Sequence, residues 1–297
     1  MNVFSISQLS QYSGIKPHTI RIWEQRYKAL QPDRSEKNTR YYDGEQLRRL
    51  LNIVSLMETK HKVSELCAMP DEKLSTLVLQ SNDLSIHDNH EYFVSQLISA
   101  GMCYDESRFE ALFEDALAKY GLESMYQMII YPMLVRVGVM WSANVIPSVQ
   151  EHFISNLVRQ KILKAIDALP PAALNSNTWL LFLPEDEYHE IGLLFAAFII
   201  RKSGHKVVYL GSSVSYEAAL SAMRDINPKY LLLFLVRYNL FENINQYVND
   251  LNNAFNGEKI YLAGNQKLLS QLDLRQKSVW LRDISSLHNE IKQLNTV

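Results

Sequence analysis

The amino-acid sequence predicts a multidomain chain of mixed class, helical over its first 170 residues and α/β over the remainder. Two observations carry this. Up to residue 169 the apolar side chains recur at helical spacing, with few strand signals. After Pro170–Pro171 and the ALNSN stretch, short continuous apolar runs alternate with helical stretches. That alternation marks a parallel sheet covered on both faces. The 297 residues suffice for two or three domains with sizeable cores.

Composition narrows the class. Hydrophobic residues make up 47% and charged ones 21%, as in an ordinary globular protein. The longest apolar run, Leu193 to Ile200, is too short to span a bilayer. The start, MNVFSISQLSQ, lacks the basic and apolar segments of a signal peptide, so a cytoplasmic location and no membrane partner are expected. Cys67 and Cys103 stand apart from any partner at metal-ligand spacing, which excludes a disulfide framework and a zinc cluster. The net charge of −2 hides an asymmetry: residues 1–62 hold 11 Lys+Arg against 6 Asp+Glu, a net of +5, leaving −7 for the rest. A basic head on an acidic body suits a phosphate-bearing partner at one end.

In the head (1–75), SISQLSQYSG puts Ile6, Leu9 and Tyr12 on one helical face and ends on Gly14, suited to a tight turn. PHTIRIWEQRY begins with Pro17, tolerated in a first helical turn. The polar loop QPDRSEKNTRYY and the amphipathic helix DGEQLRRLLNIVSLME follow. Helix, turn, helix and basic loop form the layout of a winged helix-turn-helix. His18, Thr19, Arg21, Trp23 and Arg26 lie where a second helix reaches base edges or phosphates. Arg34, Lys37, Arg40 and Tyr41 lie on or after the loop, suited to backbone phosphates and the minor groove. The plainer alternative is an ordinary amphipathic helix with Ile22 and Trp23 in its core. The combined pattern, SISQLSQYSGIKPHTIRIWEQRY followed by NTRYYD, resembles the DNA-binding domain of MerR-family transcription regulators over about 70 residues. That resemblance implies DNA contacts from Arg21, Trp23, Arg40 and Tyr41, a pseudo-palindromic double-stranded operator, and a homodimer or homotetramer.

Next come VSELCAMPDEKLSTLVLQ, interrupted at Pro70, and a polar linker (76–88). Within 89–170, Gly101, Gly121 and the SANVIPS stretch divide the apolar pattern into a four-helix bundle. In the last domain (175–297), TWLLFLP, KVVYLG, KYLLLFLV, KIYLAG and SVWL are the expected strands. Ligands of such sheets bind beyond the carboxyl ends of the strands, and EDEYHEIG follows the first one. On those residues alone His189 is a metal ligand, a catalytic base or a polar residue at a helix start.

Bundle and α/β domain together resemble the cobalamin-binding module of B12-dependent photoreceptor repressors of the CarH and LitR type, a module also found in methionine synthase. The resemblance implies a flavodoxin-like (Rossmann-type) sheet and cobalamin, as adenosylcobalamin, for cofactor. Such modules carry Asp-x-His-x-x-Gly, with Glu tolerated first, and this chain has Glu187, His189 and Gly192 in that pattern. The resemblance makes His189 the lower cobalt ligand, Glu187 the carboxylate on its other nitrogen, and Gly192 a point of close approach to the corrin. Trp141, followed after nine residues by Glu151-His152, matches a pattern in which the Trp caps the upper face and the Glu-His pair meets the upper ligand.

Two departures stand out. Leu235-Val236-Arg237 replaces a Ser-x-Leu that reaches the cofactor's benzimidazole tail, and Ala263-Gly264 replaces a Gly-Gly that gives it room. Ser142 stands after Trp141, where well-understood photoreceptors have a histidine that becomes an upper cobalt ligand after illumination. The expected function is a DNA-binding transcription regulator whose C-terminal module senses cobalamin, with adenosylcobalamin and light as signals that alter oligomerisation and operator binding. The alternative is a MerR-type regulator whose module no longer binds B12 and serves dimerisation or another ligand. An enzyme is not expected, because the sequence has no P-loop, nucleophile elbow or HExxH.

Overall fold

A computed structural model describes residues 4–34, 38–57, 60–80, 90–142, 146, 148–237, 243–274 and 277–294. It divides into two compact units, Met1–Asn156 and Leu157–Val297.

The N-terminal unit begins with helices α1 (Ile6–Ser13) and α2 (Pro17–Tyr27). Ser5 and Gln8 form a reciprocal capping box at the start of α1, and Gly14 ends it at φ 72°, a left-handed conformation natural to glycine. Pro17 opens α2, where its missing N–H costs nothing. The two-residue strands β1 (Asp33–Arg34) and β2 (Arg40–Tyr41) pair antiparallel as the wing. Helix α3 (Gly44–Ser55) is capped by Asp43, whose side chain accepts from the Gln46 amide. Leu9, Tyr12, Ile20, Trp23, Leu47 and Leu50 are buried, so α1, α2 and α3 enclose one small core.

Helices α4 (Val63–Ala68) and α5 (Asp71–Gln80) follow. The second runs past residue 76, where the polar linker was expected to begin, and residues 81–88 of that linker lie outside the described residues. The bundle helices are α6 (His90–Met102), α7 (Glu106–Met125), α8 (Tyr131–Ser142) and α9 (Ser148–Asp167). A π turn, Tyr126–Ile130, joins α7 to α8 without a loop, while Gly121 at φ 68° kinks α7 where the sequence predicts a break. The boundary between the two units falls within α9. Head and bundle are tied within the first unit. Gln96 on α6 donates to the Ser55 hydroxyl (2.8 Å), and Arg136 on α8 grips Glu91 through both carboxylate oxygens while reaching the carbonyl of Tyr12.

In the second unit, β3 (Thr178–Pro184), β4 (Lys206–Val214), β5 (Tyr230–Leu235), β6 (Lys259–Gly264) and β7 (Ser278–Trp280) form one parallel sheet in the order β4-β3-β5-β6-β7. These are the five predicted strands. Helices α10 (Ile191–Lys202), α11 (Tyr216–Ile226), α12 (Ile244–Ala254), the short α13 (Gln266–Leu269) and α14 (Ile284–Leu294) accompany them. The strand order is that of a flavodoxin-like fold, and chain direction across the sheet reverses between β3 and β5. The crevice at that reversal lies beyond the carboxyl ends of the two strands. The loop carrying His189 follows β3 there. Among the described residues no helix is long and apolar enough to cross a membrane.

Candidate DNA-binding and cofactor-binding sites

The head presents a basic surface on α2 and the wing. His18, Arg21 and Arg26 are exposed and Thr19 is half-buried, as a groove-reading helix requires. Trp23 corrects an expectation. It is 6% exposed, because it follows Ile20 by three residues and turns with it into the head core, so the ring packs inside rather than on DNA. On the wing, exposed Arg34 donates to the side chain of Asn38 (2.6 Å). Arg40 donates from Nε to Glu24 (2.8 Å), and the Tyr42 hydroxyl donates to the other oxygen of Glu24 (3.0 Å). Glu24, on α2, therefore fixes the base of the wing to the recognition helix. No sequence signal pairs it with residues 16 and 18 positions away. Arg40 and Tyr41 are half-buried in β2, and Lys37 lies outside the described residues.

In the bundle, Trp141 is 47% exposed at the end of α8. Glu151 accepts from Nδ1 of exposed His152 at 2.9 Å near the start of α9. The pair expected to meet the upper ligand is thus bonded within itself.

In the α/β unit the loop after β3 is built around Glu187, a fully buried carboxylate. Oε1 accepts from the amides of Tyr188 (3.0 Å) and His189 (3.1 Å) and lies 2.5 Å from His189 Nδ1. Oε2 accepts from the amides of Val236 (3.1 Å) and Arg237 (2.8 Å), just past the end of β5. Burial alone raises the pKa of this carboxyl. The His189 bond and the backbone N–H bonds of Arg237 and His189 outweigh burial and hold it at about 2. An ionised carboxylate only accepts, so Nδ1 carries the His189 proton, and in the neutral ring Nε2 carries the lone pair. The His189 side chain is 54% exposed. Neighbouring contacts stiffen the loop: Asp186, at φ 60°, donates its amide to Ser213 Oγ (3.2 Å), and Ser213 donates its amide to the Glu187 carbonyl (3.1 Å). Glu190 takes Arg159 Nε (2.6 Å) on one oxygen and the Tyr209 hydroxyl (3.2 Å) on the other.

Both glycines expected to leave room for the cofactor are used by the chain itself. A Cβ on Gly192 would lie 2.6 Å from the Phe234 ring, so that ring packs on the glycine's face of α10. A Cβ on Gly264, at φ 125°, would lie 2.3 Å from the Leu235 carbonyl oxygen. Leu235 is fully buried. Arg237 points away from the interior: it is exposed, and its guanidinium donates to the Asp186 carbonyl (2.9 Å).

The donor chemistry fits a corrin-bound cobalt. Among the described residues no group of three or more His, Cys, Asp or Glu side chains is placed to hold a metal. One imidazole, its tautomer set by a buried carboxylate, would suit a metal that brings most of its ligands with it. Beside Gly192 the fit is poorer, since Phe234 fills that space.

Two family profiles match the chain, "MerR HTH family regulatory protein" over residues 4–68 and "B12 binding domain" over 93–164. Among curated proteins, the chain is 25% identical over 268 residues to "HTH-type transcriptional repressor CarH" of Myxococcus xanthus, covering 88% of each. It is 26% identical over 234 residues to "HTH-type transcriptional repressor CarA" of the same organism, covering 78% of this chain and 76% of that one. Among solved structures, the Methanosarcina barkeri monomethylamine corrinoid protein aligns with TM-score 0.53 at 15% identity, over 69% of this chain and all of that one, a likeness of fold.

Proposed function

We propose that this homologue of the CarH and CarA repressors, which joins a MerR-type helix-turn-helix to a B12 binding domain, is a DNA-binding transcription regulator that senses cobalamin. The observation that carries the cofactor reading is the Glu187–His189 pair beyond β3. Adenosylcobalamin, when bound, supplies a light-sensitive cobalt–carbon bond. His189 would hold cobalt through Nε2, and Glu187 would keep the imidazole in that tautomer. Trp141, Glu151 and His152 would meet the cofactor's upper side. In the head, Arg21 and Arg26 would take phosphates or base edges, and the wing cations Arg34, Lys37 and Arg40 the backbone. The protein would act in the cytoplasm, without an enzymatic step, as a homodimer or homotetramer on a pseudo-palindromic operator. Ser142 after Trp141 would offer the cofactor's upper side a hydroxyl and no imidazole at that position.

The test is reconstitution with adenosylcobalamin in the dark. The protein should carry a coloured cofactor through gel filtration, and His189→Ala should reduce its retention and shift its spectrum. Colourless protein overturns the cofactor reading, and an unaltered His189→Ala spectrum overturns the ligand assignment. Operator binding measured with and without cofactor and light then tests sensing.

A second reading has its own support. Phe234 packed on Gly192, and Leu235 where a hydroxyl was expected, favour a module that has given up B12 for dimerisation or another ligand. Operator binding indifferent to cobalamin and light would be its result.

A further inference from the structure

Within the N-terminal unit, two cavities adjoin between α3 of the head and the corner where α6 meets α7. One, of about 160 Å³, is walled by Phe4, Leu47, Leu51, Met102 and Ile146. The other, of about 170 Å³, is walled by Arg48, Asn52, Ser99 and Arg108. Arg48, Ser99 and Cys103 border both, so the apolar and polar spaces share a seam.

The polar walls carry few internal hydrogen bonds. Asn52 and Ser99 are 6% and 5% exposed. The Asn52 amide reaches only Ser75 Oγ, at 3.5 Å, and the Ser99 hydroxyl makes no hydrogen bond among the described residues. Both line the cavity, where they can pair with a polar occupant. Two guanidiniums face the space. Arg108 spends one amino group on Gln96, and Arg48 is exposed. The one carboxylate there, Asp105, caps α7 through the Arg108 amide (3.1 Å). The electrostatic balance thus favours an anion, and the adjoining apolar chamber favours one with a hydrocarbon body.

We infer that this double cavity binds a small amphipathic carboxylate, its chain among Phe4, Leu47, Leu51, Met102 and Ile146 and its carboxylate at the Arg48–Arg108 end beside Ser99. One wall belongs to the DNA-binding head and the other to the bundle, so occupancy acts on the seating of the head. The cavity is built from residues of the N-terminal unit and shares none with the loop of His189.

Cys103 on the seam is a built-in reporter, because Cys67 is buried and Cys103 is exposed. The rate at which a thiol reagent modifies the full chain is measured with octanoate, octanamide and acetate. Octanoate should protect Cys103 saturably, and octanamide and acetate should not. Arg48→Gln, on an exposed side chain, should leave melting temperature unchanged while weakening octanoate, measured against the variant's own unprotected rate, by about tenfold, the loss of one charge-assisted bond. No protection by millimolar octanoate, equal protection by octanamide, or undiminished protection in Arg48→Gln would each overturn the assignment.

Discussion

Replacing Glu187 by Gln removes a charge and keeps the shape, which isolates what the carboxylate does. Glu187 accepts from four backbone amides and lies against the proton on His189 Nδ1. A glutamine offers one oxygen, and its NH2 must face donors on the other side whichever way the amide turns. At least two buried N–H groups then lose their acceptor, at about 2–4 kcal/mol in all. The pH dependence gives a second handle. A carboxyl held at about 2 when folded, against 4.5 ordinarily, adds about 3 kcal/mol of stability at neutral pH. Because the folded pKa is the lower one, this stabilisation is complete above about pH 5 and disappears as pH falls toward 2. The gap between native and Glu187→Gln protein should therefore shrink by about 1.5 kcal/mol between pH 6 and pH 3.5. Urea unfolding at the two pH values measures it, with hydrogen exchange at Val236 and Arg237 reporting on the second unit itself. A gap that does not change with pH, or a glutamine variant as stable as the native protein at pH 6, refutes the account.

Arg21→Ala, on an exposed face, should weaken operator binding with little loss of stability and reduce the dependence of log K on log salt by about 1 if it holds a phosphate; titrations at several salt concentrations decide this. Trp23→Ala should instead destabilise the head by about 3–5 kcal/mol, seen as early unfolding in thermal melts, with DNA affinity falling only as the folded fraction falls. Gly192→Ala drives a methyl group into Phe234 and should cost about 1–3 kcal/mol, but little when it is made in a Phe234→Ala background, a rescue measured against that single variant. Failure of that rescue in urea unfolding would mean the ring is not what Gly192 accommodates.

The elements were legible because their signals are local. Continuous apolar runs marked the five strands, Pro17 and Gly14 marked helix ends, and Gly121 marked the kink in α7. The motif Glu187-Tyr188-His189 was legible too, but not what the carboxylate does. Its partners Val236 and Arg237 are about fifty residues away and become neighbours only because β5 lies beside β3. Glu24 on the wing and Phe234 on Gly192 were invisible for the same reason, since each pairing depends on sheet order or helix crossing. Trp23 failed differently. Its place on the second helix and the family pattern both put it among DNA contacts, whereas the plainer amphipathic reading had it in the core, where it lies.

That difference bears on the cofactor motif itself. Glu187 is sufficiently explained as the staple joining the loops after β3 and β5, and Gly192 and Gly264 by the close approach of Phe234 and Leu235. Three of the four α/β-unit residues assigned to a cofactor therefore have work to do in the folded chain without one. His189 is the residue this packing does not explain. Its Nδ1 bond helps to hold Glu187 ionised, but a donor on a smaller, buried side chain would serve that purpose too. Instead an imidazole stands there, about half exposed, with one nitrogen held by a buried carboxylate. Fixing a polar ring in one orientation at the surface costs side-chain entropy and adds little burial, which is how a ligand-binding residue differs from a structural one. The case for cobalamin therefore rests on His189 far more than on the motif as a whole.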